Sequence, residues 1–215
     1  MTYAQLITDI GKWMNRTRGE LDTIAAQQII ESQYELEKKF PLWFLTDEFF
    51  STILAGRSSI LLPNFTIRVI DASMEDSQGV RYPFHFTTLS ELRENYPFSM
   101  ALTPETGMPA MGAVVGHVVE FGPQADDTYT MRYRLWHHLD PLDLVVNTSN
   151  EWTTLYLATL RYHVLCALSA YIKDDPRISV WEQRLTECLS DLESEVMRMN
   201  TPNISTMTAE SEDIY

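Results

Sequence analysis

The residues best equipped for chemistry lie in "HHLDPLD", residues 137–143. His137, His138, Asp140 and Asp143 offer two imidazoles and two carboxylates, a set that suits a divalent metal or a general base. The local pattern works against a single site. Neighbouring residues of a strand face opposite ways, so the two histidines diverge. Asp140 before Pro141 is a turn signal. His85 and His117 fall in strand patterns and His163 in a core helix, where a hydrogen-bonded structural role is the simpler one. A nucleophile elbow, a Walker loop, G-x-G-x-x-G and H-E-x-x-H are all missing from the sequence. No catalytic residue, metal ligand or cofactor is therefore assigned. A small metal-dependent or His-based hydrolase on His137 and His138 is the enzymatic alternative.

Asp174 and Asp175, in "IKDDPRIS", form a second carboxylate pair. Their expected task is structural. Asp175 is a good N-cap, Pro176 a good first helical residue, and the corner is short enough for the flanking helices to pack antiparallel.

The elements around these residues follow from periodicity. Thr2 and Gln5 make a capping box, and Leu6, Ile10 and Trp13 repeat at helical spacing. Helices are expected at about 2–14, 22–40, 150–173 and 176–198. The stripe of the second is Ala25/Ala26, Ile29/Ile30, Tyr34, Leu36 and Phe40, and Pro41 ends it. A β insertion is expected over about 60–135, with hairpins built from "TIRVIDAS" and "VRYPFHF", and from "AVVGHVVEF" and "TYTMRYRL". Tyr129, Met131, Tyr133 and Leu135 alternate with polar residues, which is a strand with one buried face. Thr88 with Glu91, and Thr148 with Glu151, are further capping boxes. The fold class expected is mainly α with a β insertion (α+β): a helical-bundle core with antiparallel hairpins inserted between the N-terminal and C-terminal helix pairs. Residues 1–199 form a single domain in this expectation, and 200–215 a flexible acidic tail.

Composition narrows the function. The 215 residues carry a net charge of −14, so a nucleic-acid-gripping surface is disfavoured. The two cysteines, Cys166 and Cys188, are too few for a disulfide framework and sit in apolar helical stretches. The N-terminus lacks the basic-then-apolar order of a signal peptide, and no stretch is long and apolar enough to span a membrane, so an intracellular soluble chain is expected. "FPLWFLTDEFF" (40–50) is dense in aromatics that the core or a partner must cover.

The order of these segments resembles the head-to-tail adaptor (connector) proteins of short-tailed, podovirus-like phages. It runs from "MTYAQLITDIGKWMNR" and "ELEKKFP" through "ILLPNFTIRVIDAS" and "YPFHFTTLSELREN" to "YRLWHHLDPL" and "LSAYIKDDPRISVWEQRL". The resemblance covers about residues 1–199. It implies a non-enzymatic virion protein at the head–tail interface, present in the host cytoplasm during assembly. Its implied partners are the portal protein, the tail nozzle protein and further copies of itself in a ring of about twelve. Double-stranded DNA passes through that ring without specific binding. Ile204, Met207, Ile214 and Tyr215 are then the expected portal contacts, and Trp43, Phe44, Phe49 and Phe50 the expected ring or nozzle contacts. An assembly chaperone absent from the finished virion is the further alternative.

Overall fold

The computed structural model describes residues 1–15, 20–97, 104–171 and 175–200, and side chains throughout these except at 20, 21 and 200. Its helices are α1 (Tyr3–Trp13), α2 (Glu20–Lys39), α3 (Leu89–Asn95), α4 (Glu151–Thr154), α5 (Leu157–Ala167) and α6 (Ile178–Asn200). The Thr2 hydroxyl accepts the Gln5 N–H, and the Gln5 side chain accepts the Thr2 N–H. Two donors that α1 leaves unpaired are thus satisfied. Leu6, Ile10, Ile29, Leu36, Trp152, Leu160, Val164, Trp181 and Leu192 then meet in one apolar cluster, which binds α1, α2, α4, α5 and α6 into a layer.

The C-terminal helices depart from their expected bounds. Asn150, rather than Thr148, caps α4, through a reciprocal box with Thr153. The expected 150–173 helix breaks at Tyr156, whose backbone is non-helical, and tightens into a 3-10 turn at Leu168–Tyr171. Before α6, the Asp175 carboxylate accepts the Arg177 N–H at 2.9 Å and holds the Arg177 guanidinium, which reaches the Trp13 carbonyl at 2.8 Å. The Arg177 hydrogen bond holds the Asp175 carboxyl at about 2, well below the usual carboxylate range. Asp175 therefore organises the corner and ties it to α1. Asp174 lies outside the described residues.

The β region corrects the expected fold class. Strands β1 (Thr46–Ile53), β2 (Ser59–Leu61), β3 (Thr66–Glu75), β4 (Arg81–Phe86), β5 (Thr106–Gly107), β6 (Met111–Val115), β7 (Val118–Gly122), β8 (Gln124–Ala125) and β9 (Tyr129–His137) are not hairpins appended to a helical bundle. Seven of them form one mixed sheet in the order β1-β9-β3-β4-β6-β7-β2. The pairing of β4 with β6 is parallel and the other ladders of that sheet are antiparallel. The two end strands, β1 and β2, come side by side, so the sheet is a nearly closed barrel. Its own interior holds Ile53, Met74, Phe84, Val119, Phe121, Met131 and Leu135. The molecule thus has two apolar cores.

Three local features explain that correction. The second half of "FPLWFLTDEFF" is strand β1, paired with β9 from Thr46↔Trp136 to Ile53↔Tyr129. "AVVGHVVEF" is two strands, because Gly116 turns the chain at φ +62°, a conformation that costs glycine little. Gly112 admits close contact between β4, β6 and β7, since a Cβ there would lie 2.4 Å from the Phe84 ring. The alternation of β9 is as expected at Met131, Tyr133 and Leu135, which are buried; Tyr129 is half-buried, and His137 extends the same face. Trp136, facing the other way, packs on the helical core, so β9 joins the two halves.

Candidate assembly surfaces

The two histidines of "HHLDPLD" diverge, and each meets a different carboxylate. His137 is buried on the barrel side between Phe49 and Phe65, with Nε2 3.0 Å from Asp47 Oδ2. His138 faces the helices, with Nδ1 2.8 Å from Glu37 Oε2. Glu37 is fully buried, so its carboxylate is out of a substrate's reach. Its Oε1 accepts the side-chain N–H groups of Gln33 at 2.9 Å and Trp152 at 3.0 Å. Burial pushes the Glu37 carboxyl up to about 7, against the pull of these donors and the Leu139 N–H. Burial also pushes His138 down. Both shifts favour the neutral forms. This knot ties α2, α4 and the end of β9 together. Glu37 was not singled out from the sequence, although its spacing of seven from Ile30 and three from Phe40 puts it on the apolar stripe of α2.

Asp140 and Asp143 do not join either histidine. Asp143 Oδ1 accepts the N–H groups of Val145 and Val146, both at 2.6 Å, and these bonds hold its carboxyl below the usual range. Its own N–H donates to the Asn147 carbonyl at 2.9 Å. The Asn147 side chain donates to the Asp140 and Pro141 carbonyls. The resulting loop is pinned at both ends: Leu142 is buried in the helical core and the Tyr3 N–H bonds Thr148. Between the pins, Leu144, Val145 and Val146 project outward, the two valines 84% and 87% exposed. Three adjacent exposed aliphatic residues thus stand together on a braced loop, an apolar tip that the core does not cover. The signal was present in "DLVVN", an apolar run between two turn-forming residues, and the sequence reading missed it.

The four aromatic residues expected at contacts separate into pairs. Trp43 and Phe50 are exposed, 57% and 53%. Phe44 is buried against Trp152 and Tyr156, and Phe49 stacks on Tyr133 in the barrel wall. The Arg132 guanidinium covers Phe50 at 4.6 Å from the ring centre and pairs with Glu75 at 2.6 Å. Ile204, Met207, Ile214 and Tyr215 lie outside the described residues.

The open seam of the barrel is the other surface feature. Between β1 and β2 lies a cleft of about 520 Å³, lined by Thr52, Leu54, Arg57, Ile60, Leu61 and Val118 among others. Leu61 is 75% exposed. Among the described residues, no group of three or more His, Cys, Asp or Glu side chains is placed to hold a metal, and no helix is long and apolar enough to cross a membrane.

Residues 1–206 match the SU10 adaptor protein family. The chain belongs to that family. It is a phage adaptor, a structural role that accords with braced, exposed apolar surfaces and histidines committed to structural contacts. As a phage structural protein it belongs to the virion and contacts other phage structural proteins. No curated protein matches the sequence.

Proposed function

We propose that this adaptor forms a ring beneath the portal, joins it to the tail nozzle and extends the DNA channel. The observation that carries the reading is the family match over residues 1–206. The geometry supports it: exposed apolar surfaces stand on both halves of the molecule, the Leu144–Val146 tip beside the helices and the cleft in the barrel seam. Repetition around a closed ring multiplies individually weak contacts. Trp43 and Phe50 are ring or nozzle contacts, with Phe44 and Phe49 as the packed floor that orients them. Residues 200–215 dock on the portal through Ile204, Met207, Ile214 and Tyr215. A net charge of −14 suits a conduit, because a surface that neutralised phosphates would retard DNA.

Co-sedimentation with portal rings from the same genome tests this. The full chain should pellet with the rings. A chain ending at Asn200 should fold equally well and bind more weakly. Full-length chain left in the supernatant contradicts the portal-joining role, and unchanged binding after truncation removes the tail from it.

A further inference from the structure

The tip and the cleft pair an apolar protrusion beside acidic residues with a partly apolar concavity that holds an arginine. The tip is a protrusion of three aliphatic side chains, and the cleft is a concavity with Leu54, Ile60, Leu61 and Val118 in its lining. The N–H groups of Val145 and Val146 are already taken by Asp143. The tip therefore docks through its side chains and does not add a strand to an open sheet edge. Charge selects the partner. Copies carrying −14 each repel one another, so a contact between them needs a local attraction. Arg57 in the cleft is exposed and has no ion pair among the described residues. The tip carries Asp140 and Asp143 at its base, and the backbone N–H groups on Asp143 keep it ionised. The two features are distinct surfaces. The tip follows the helical end of β9, and the β1 residues of the cleft, Ser51 to Ile53, lie toward the other end of that strand pair. A contact between different surfaces of identical chains is head-to-tail, the kind that closes rings.

We propose that the Leu144–Val146 tip of one copy docks in the β1–β2 cleft of the next copy, with Arg57 facing Asp140 and Asp143. This rests on the ring reading above and supplies its repeating contact.

The test uses the full chain with Val145→Cys and Leu61→Cys together, oxidised both free at high concentration and on portal rings. Both positions are exposed, so the fold is spared. Cys166 and Cys188 are half-buried with thiols held above the usual range, and they react slowly. A ladder of disulfide-linked oligomers is expected, absent from a control pairing Val145→Cys with Gln78→Cys. A second experiment mixes a tip variant (V145D/V146D) with a cleft variant (R57E/L61D). Each alone should stay monomeric, and the mixture should stop at dimers, because each variant keeps one working surface. The absence of a ladder above the control in both states overturns the proposal, as does a mixture that fails to dimerise. If the portal still takes up the unmodified chain in that case, the portal-joining reading stands and only this contact falls. If the ladder forms but the portal does not bind the chain, the reverse holds.

Discussion

The helical layer and the barrel solve the same packing problem in different ways. The helical layer buries a polar knot, Glu37 with Gln33, Trp152 and His138, beside its apolar cluster. The barrel interior is apolar apart from groups at its rim, but its sheet stops short of closure at the β1–β2 seam. A satisfied buried network fixes one arrangement of the elements that share it, because any slip leaves polar groups unpaired. An open seam leaves a surface available. The difference teaches where an adaptor spends its specificity: inward in the helices, to set the monomer, and outward at the barrel edge, for a partner.

The predictions sharpen this contrast, from the largest effect to the smallest. Phe121→Ala in the barrel should cost about 3–5 kcal/mol by removing a fully buried ring, equally at pH 5 and pH 8. Chemical denaturation at both pH values measures it. A strong pH dependence would show that the barrel is not the dry half.

Glu37→Ala should cost about 3 kcal/mol, since Trp152 and Gln33 lose their acceptor in a buried setting. Glu37→Gln separates charge from hydrogen bonding. The folded state holds the Glu37 carboxyl at about 7 against an ordinary 4.5, so it binds the proton more tightly than the unfolded chain does. That contribution is fully present below pH 4.5 and is lost as pH rises through about 7. Gln mimics the protonated form at every pH. The stability of Glu37→Gln relative to the unmodified chain should therefore rise across this window. His138, pushed down by burial, contributes with the opposite slope. A difference that stays flat from pH 4.5 to 7.5 would refute the buried-carboxyl account.

Gly112→Ala should cost about 1–3 kcal/mol, because the new methyl meets the Phe84 ring and the Glu120 carbonyl at 2.4 and 2.8 Å. The Tm shift checks it, and an unchanged Tm would mean that β4 and β6 are not so tightly apposed. The tip variant V145D/V146D should change stability by less than about 0.5 kcal/mol, since both side chains are exposed. Its effect should appear in assembly alone.

Legibility in the sequence followed the range of the interactions. Thr2, Thr88 and Asp175 act within a few residues, and each was visible as a cap or a corner. The inward face of β9 was visible because alternation is local. The barrel was not. Its order places β1 beside β9, in pairs from Ile53↔Tyr129 to Thr46↔Trp136 that are remote in sequence, and no local pattern encodes that neighbour. Aromatic density at 40–50 hid the short alternation of Phe49, Ser51 and Ile53, and Gly116 was one glycine, next to His117, between two pairs of valines. Glu37 escaped because two of its partners, Trp152 and His138, come from α4 and the residue after β9, and only they complete the acceptor's surroundings. The tip escaped for a different reason: its aspartates were weighed as ligands, while their structure assigns them to bracing the loop.

The most direct test of the central claim is native mass spectrometry of the full chain mixed with portal rings from the same genome. The account predicts a single complex with one adaptor chain per portal subunit, and for V145D/V146D only partial, unclosed occupancy. Portal rings that emerge without bound chain, or with a few chains at random and no preferred stoichiometry, would contradict it.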